Sequence, residues 1–180
     1  MTITIPDAPS FQEAIALTNK MMQAAADSNG ELESGAIAKL TSSINGSRGF
    51  FVSYLTVENS PASQPLEPVL AALASNPDTV NDILVKNVVM AAAMTVTHGR
   101  NGDEAMVAAS QRTSDRSAAH VNGLLARGGA AALEKPVRHM DEALSYGAGN
   151  YVGFLEKWGY DDEQRQVMAR AIAPIMNGLG

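Results

Sequence analysis

The chain has 180 residues, 46% of them hydrophobic but only 5% aromatic, and a formal net charge of −6. That apolar share excludes a disordered chain, and the length favours one domain with a real core. The absence of cysteine excludes disulfides, thiolate chemistry and cysteine-ligated metals, and the acidic balance argues against general nucleic-acid binding, which uses a basic face.

Residues 1–9 read as an N-terminal extension. Thr2-Ile3-Thr4-Ile5 alternates like a strand but is too short to carry a sheet, and the segment lacks the basic start and apolar core of a secretory signal. Ser10 and Glu13 have the spacing of a capping box. Ile15, Met21, Met22 and Ala25 then line one helical face up to Asn29-Gly30, a stop signal. A second helix starts near Ser34, uses Ile37, Leu40 and Ile44, and is expected to be interrupted at Gly46 and Gly49. Phe50 to Val57 could be a continuing helix or a buried strand, and helix is preferred.

Residues 57–65 form a Pro/Ser-rich loop, and a short helix over Leu66–Ala74 carries Pro65 or Pro68 in its first turn. Asn76-Pro77-Asp78 is a sharp start signal: a cap, a proline at the first helical position and an acid near the positive end of the dipole. The helix that follows runs through Val80, Ile83, Leu84, Val88 and Met90 to about Val96, apolar nearly all round its second half. The apolar run Ile83–Val96 contains Lys86 and Asn87. It stops short of the roughly 20 residues a bilayer requires. No membrane partner is expected, and a cytoplasmic protein is the default.

Gly99-Arg100-Asn101-Gly102 breaks the chain, and Asp103 caps a helix that ends near Arg127-Gly128-Gly129. The next helix places Leu133, Val137, Met140 and Leu144 on one face, with Pro136 tolerable only in its first turn. Gly147-Ala148-Gly149 ends it, and a short aromatic helix over Tyr151–Trp158 stops at Gly159. The last helix starts at Asp161 with Gln164 in capping-box spacing, and should fray or kink at Pro174. The expected fold is all-α: one domain, residues 1–180, of roughly six to eight helices with short connections.

Functional signals concentrate between Ala108 and His120, a helical stretch with no large apolar residue. Such a helix must face water, touch a neighbour closely or line a polar site. Met106, Ser110, Thr113, Ser117, Val121 and Leu124 are expected to face inward. Arg112, Arg116 and His120 are spaced by four and so share one stripe, able to grip a phosphate or carboxylate. Arg100, in the preceding turn, could join them. Residues 100–138 carry six basic and four acidic side chains, a locally positive region in an acidic chain. The structural alternative is a boundary stripe whose arginines pair with acids such as Asp115, Glu104 or those of a neighbouring helix, His120 being a half-buried polar group.

His98, His120 and His139 raise the question of metal or acid–base chemistry, but no HExxH or Glu-x-x-His pair is present, so no metal or cofactor is expected. The first functional expectation is therefore a helical protein acting through interaction, as a homo-oligomer or with a protein partner. The second is a binding or sensor domain for a small anionic ligand. The third, an enzyme using a histidine among carboxylates, lacks any nameable nucleophile and base.

Overall fold

The computed structural model describes residues 3–28 and 32–179, so the expected stop at Asn29-Gly30 lies outside the described residues, as does Thr2. Nine α-helices and no strand form among them. The all-α expectation holds. The count lies slightly above the expected range, and Phe50–Thr56 is helical, as preferred, within a helix that starts at Ile44. By its contacts the chain divides into two units, Met1–Ile83 and Leu84–Gly180, with the border inside one continuous helix.

In the first unit, α1 (Phe11–Ser28) opens on the capping box. The Glu13 amide donates to Ser10 Oγ at 3.2 Å, and the Ser10 amide donates to the Glu13 carboxylate at 2.8 Å. That bond holds the Glu13 carboxyl below its ordinary pKa. Residues 3–6 form no strand, although Ile5 is buried.

The expected interruption at Gly46 and Gly49 is corrected. The break falls three residues earlier, between α2 (Ser34–Leu40) and α3 (Ile44–Thr56), where Ser43 caps α3 by accepting from the Gly46 amide. The Thr41 carbonyl in the gap accepts from Ser47 Oγ and Thr79 Oγ1. Asn76 Nδ2 donates to the Ala38 carbonyl at 2.7 Å. These bonds satisfy backbone groups that the chain reversal would otherwise leave orphaned. Both glycines lie inside α3 and serve close packing. A Cβ on Gly46 would meet the Leu40 carbonyl oxygen at 1.8 Å, and one on Gly49 would meet Ala14 Cβ at 2.4 Å.

Below this contact sit Phe50, Phe51, Tyr54 and Leu55, with the Phe50 and Tyr54 rings stacked 4.8 Å apart. After a 3₁₀ turn at Pro61–Ser63 comes α4 (Glu67–Ala74), with Pro68 in its first turn, packed on α2.

The helix α5 (Pro77–Arg100) begins at the expected proline but continues four residues past Val96. With 24 residues it is long and apolar enough, by length and composition alone, to cross a membrane. Half of its most apolar stretch is buried inside the protein.

In the second unit α6 (Glu104–Leu124) is capped by Asp103, which accepts from the Met106 amide at 3.0 Å. The chain then bends through residues 125–129, Gly128 taking a φ of 86° that other residues rarely adopt. The helix α7 (Ala130–Tyr146) buries Leu133, Val137 and Met140 and packs on α9. Because it starts at Ala130, Pro136 lies in its second turn, not its first. The leucine–valine–methionine face holds the helix in place despite the amide that proline lacks. After α8 (Val152–Trp158), α9 (Asp162–Asn177) carries the complete Asp161–Gln164 capping box and continues three residues past Pro174, the residue at which it was expected to fray or kink. Burial of Met168, Ile172 and Ile175 on both sides of the proline carries it across.

Candidate functional site

The helix without bulk has two working edges. On the first, Ser110, Ser114 and Ser117 are buried together with Val121 and Leu124. Ser114 Oγ donates to the Val88 carbonyl of α5 at 2.8 Å, a side-chain-to-backbone bond that only closely approaching helices can make. Ser114 thus takes the inward position expected of Thr113, which is only partly buried, and Met106, a turn ahead of this seam, stays 43% exposed.

The second edge lines a cleft of about 370 Å³ between α5, α6 and α9. From α6 come Gln111, Asp115, Ala118 and Asn122, a stripe at helical spacing next to Ser114. From α9 come Val167, Arg170 and Pro174, and from α5 come Ala92 and Thr95. The missing bulk on α6 is what leaves this space. Gln111 Nε2 donates to the Asp115 carboxylate at 2.8 Å and orients it across one helical turn. Thr95 Oγ1 turns back to the Ala92 carbonyl of its own helix. The side chains of Arg170 and Asn122 make no hydrogen bond or ion pair among the described residues. The cleft therefore presents an oriented carboxylate, an uncommitted guanidinium and an uncommitted amide beside a small apolar floor.

Arg112, Arg116 and His120 share one stripe, as expected, but it faces elsewhere. At 3.6 residues per turn it lies about 130° round α6 from the cleft stripe. Arg116 is only 5% exposed and His120 is fully buried, deeper than a boundary stripe would be. His120 Nδ1 stands 2.8 Å from the Arg116 carbonyl. A carbonyl can only accept, so Nδ1 carries a proton. Burial away from water lowers the His120 pKa; the Arg116 guanidinium adds to this, and the carbonyl bond opposes it. Arg112 is partly buried, and its Nε is enclosed without a hydrogen-bond partner.

Arg100 does not join this stripe. It is the last residue of α5, and its guanidinium pairs with Asp161 and Glu163 at the start of α9. The bond from Arg100 holds the Asp161 carboxyl below its ordinary pKa, and the Gln164 amide adds to the effect. The three histidines sit on different helices: His98 on α5, His120 on α6 and His139 on α7. Among the described residues, no group of three His, Asp or Glu side chains could hold a metal ion.

Sequence reasoning treated Asp115 only as a pairing acid and passed over Arg170. The stripe Gln111-Asp115-Ala118-Asn122 was visible as a polar edge of a helix without bulk. Nothing in the sequence brought α9 alongside it.

The sequence matches the family described as uncharacterised conserved protein UCP020893 over residues 10–175, and the chain belongs to that family. No curated protein and no solved structure matches the chain.

Proposed function

We propose that the protein is a small-molecule-binding helical domain whose ligand seats in the cleft between α5, α6 and α9. The observation that carries this reading is the uncommitted Arg170 guanidinium facing the same 370 Å³ space as the oriented Asp115 carboxylate. Ligand sites are concave, partly apolar and set by a few convergent polar groups, and run from about 300 to 1,000 Å³. A seat on Arg112, Arg116 and His120 is the weaker reading, since a ligand there would have to displace the buried Arg116 and His120.

Ala118→Leu tests the proposal, because it fills the cleft from the α6 side without touching a charged group. Native protein and the variant are screened against a library of polar metabolites by thermal melting. A true ligand at a hundredfold excess over its Kd adds about 2.7 kcal/mol, a shift of roughly 5–10 °C in a domain of this size. The native protein should show such a shift, and the variant, with an unchanged circular dichroism spectrum, should not. A ligand that shifts both proteins equally would overturn the assignment of the cleft.

A second reading, a helical protein acting through homo-oligomers or a protein partner, draws on two exposed aromatics of the second unit. Tyr146 is 81% exposed and Trp158 57% exposed, at the ends of α7 and α8. Large exposed apolar side chains mark association surfaces when they cluster. Sedimentation at micromolar concentration checks this: a monomer for the native chain would count against it.

A further inference from the structure

We propose that the ligand of the cleft is a small zwitterion, its anionic oxygens held by Arg170 and its ammonium group by Asp115. This rests on the binding function proposed above and names the chemical class of the ligand. Two opposite charges from facing helices line one small space and yet form no ion pair with each other. The carboxylate's partner is Gln111, which ties it to its own helix. Arg170, left over, points an unused planar donor array toward the same space, and that array matches a carboxylate bidentately.

The charge pattern selects by exclusion as well as by attraction. An anion without a positive end, such as the phosphate or carboxylate expected from the sequence, would bring its charge against Asp115. A bare cation would meet Arg170 in the same way. Asp115 and Arg170 are both exposed to solvent, and a molecule carrying both signs pairs each of them without bringing like charges together. Ala92, Val167 and Ile175 add apolar wall for a short aliphatic part. The cleft volume of about 370 Å³ lies at the small end of the range for ligand sites and suits a molecule of amino-acid size.

The test uses the full chain and defined probes. Glycine, L-alanine, L-valine, L-leucine, β-alanine and γ-aminobutyrate vary the apolar part and the separation of the two charges. Isovalerate and isobutylamine each keep only one charge. Binding is read by calorimetry and by amide NMR shifts. At least one zwitterion should bind at millimolar concentration or tighter, with isovalerate and isobutylamine at least ~10-fold weaker. Asp115→Asn and Arg170→Gln should each weaken the zwitterion by at least ~10-fold, both variants being surface changes that leave the fold intact.

Isovalerate binding as tightly as L-valine, or Asp115→Asn leaving affinity unchanged, overturns the zwitterion. So does the failure of all six zwitterions to bind. In each case binding of some other compound that is lost in Ala118→Leu would leave the cleft itself standing as a ligand site, so the two proposals fail separately.

Discussion

Gly49→Ala should lower the unfolding free energy by about 1–3 kcal/mol, the usual cost of forcing extra atoms into a packed contact. The opposite sign is expected from helix propensity alone, since replacing an interior helical glycine by alanine ordinarily gains about 0.5–1 kcal/mol. Sterics override that gain here. An added Cβ would lie 2.4 Å from Ala14 Cβ, 2.8 Å from the Phe11 carbonyl oxygen and 3.0 Å from the Ile15 amide nitrogen. Two of these three are backbone atoms of α1, so no side-chain rotation relieves them.

The contact is a small-residue seam on both helices. Ala14 and Thr18 of α1 are fully buried, and Gly49 and Ser53 of α3 face the same crossing, with Ser53 Oγ donating to the Ile15 carbonyl at 3.4 Å. Gly46→Ala should cost more, because its Cβ would overlap the Leu40 carbonyl oxygen at 1.8 Å. Gly153→Ala and Gly35→Ala provide the internal controls. Both glycines are helical with nothing within 4 Å of the added carbon, so both variants should be neutral or slightly stabilised. Urea unfolding of the four variants reads the sign directly. If Gly49→Ala proved as stable as Gly153→Ala, the close crossing of α1 and α3 would be wrong.

The same glycines show what a sequence read alone can carry. Helix starts were legible because caps are local: Ser10 with Glu13, Asp103, and Asp161 with Gln164 each close a bond across three residues. Gly46 and Gly49 read as breakers for the same local reason, yet their role is set by Leu40 and by a different helix, α1. Pro136 misled in the same direction, since burial of neighbours on either side outweighs one missing amide. The lack of bulk on α6 was legible: one edge meets α5 closely through Ser114, and another, carrying the exposed Gln111, Asp115 and Asn122, borders the cleft. The choice of Arg112, Arg116 and His120 followed the density of chemistry along the sequence. Which edge of α6 opens onto a cleft depends on where α9 packs, and Arg170 reaches the cleft only through that packing. Arg100 illustrates the point from the other side: the acids that occupy it, Asp161 and Glu163, lie far along the chain.

Between about pH 7.5 and pH 5 the protein should lose stability through one group above others, His120. Its ring is fully buried, neutral and bonded through Nδ1–H to the Arg116 carbonyl, and burial lowers its pKa below the ordinary 6.5. The unfolded chain therefore takes up a proton at a higher pH than the folded chain. Across that window the unfolded state binds more protons, so stability rises with pH and is lost as pH falls below 6.5. The steepest slope one group can give is about 1.4 kcal/mol per pH unit. Glu13 and Asp161 are also held below their ordinary values of 4.5 and 3.8, so their losses come in a more acid range. His120→Asn separates the effect from mere destabilisation. Asparagine can place a donating nitrogen where Nδ1 stands but cannot titrate. The variant should be less stable at neutral pH, from the smaller side chain, and should show a flatter profile between pH 7.5 and 5 than the native protein. Parallel profiles for the two proteins would mean that the buried ring titrates alike in the folded and unfolded chains, and the enclosed neutral histidine on α6 would have to be abandoned.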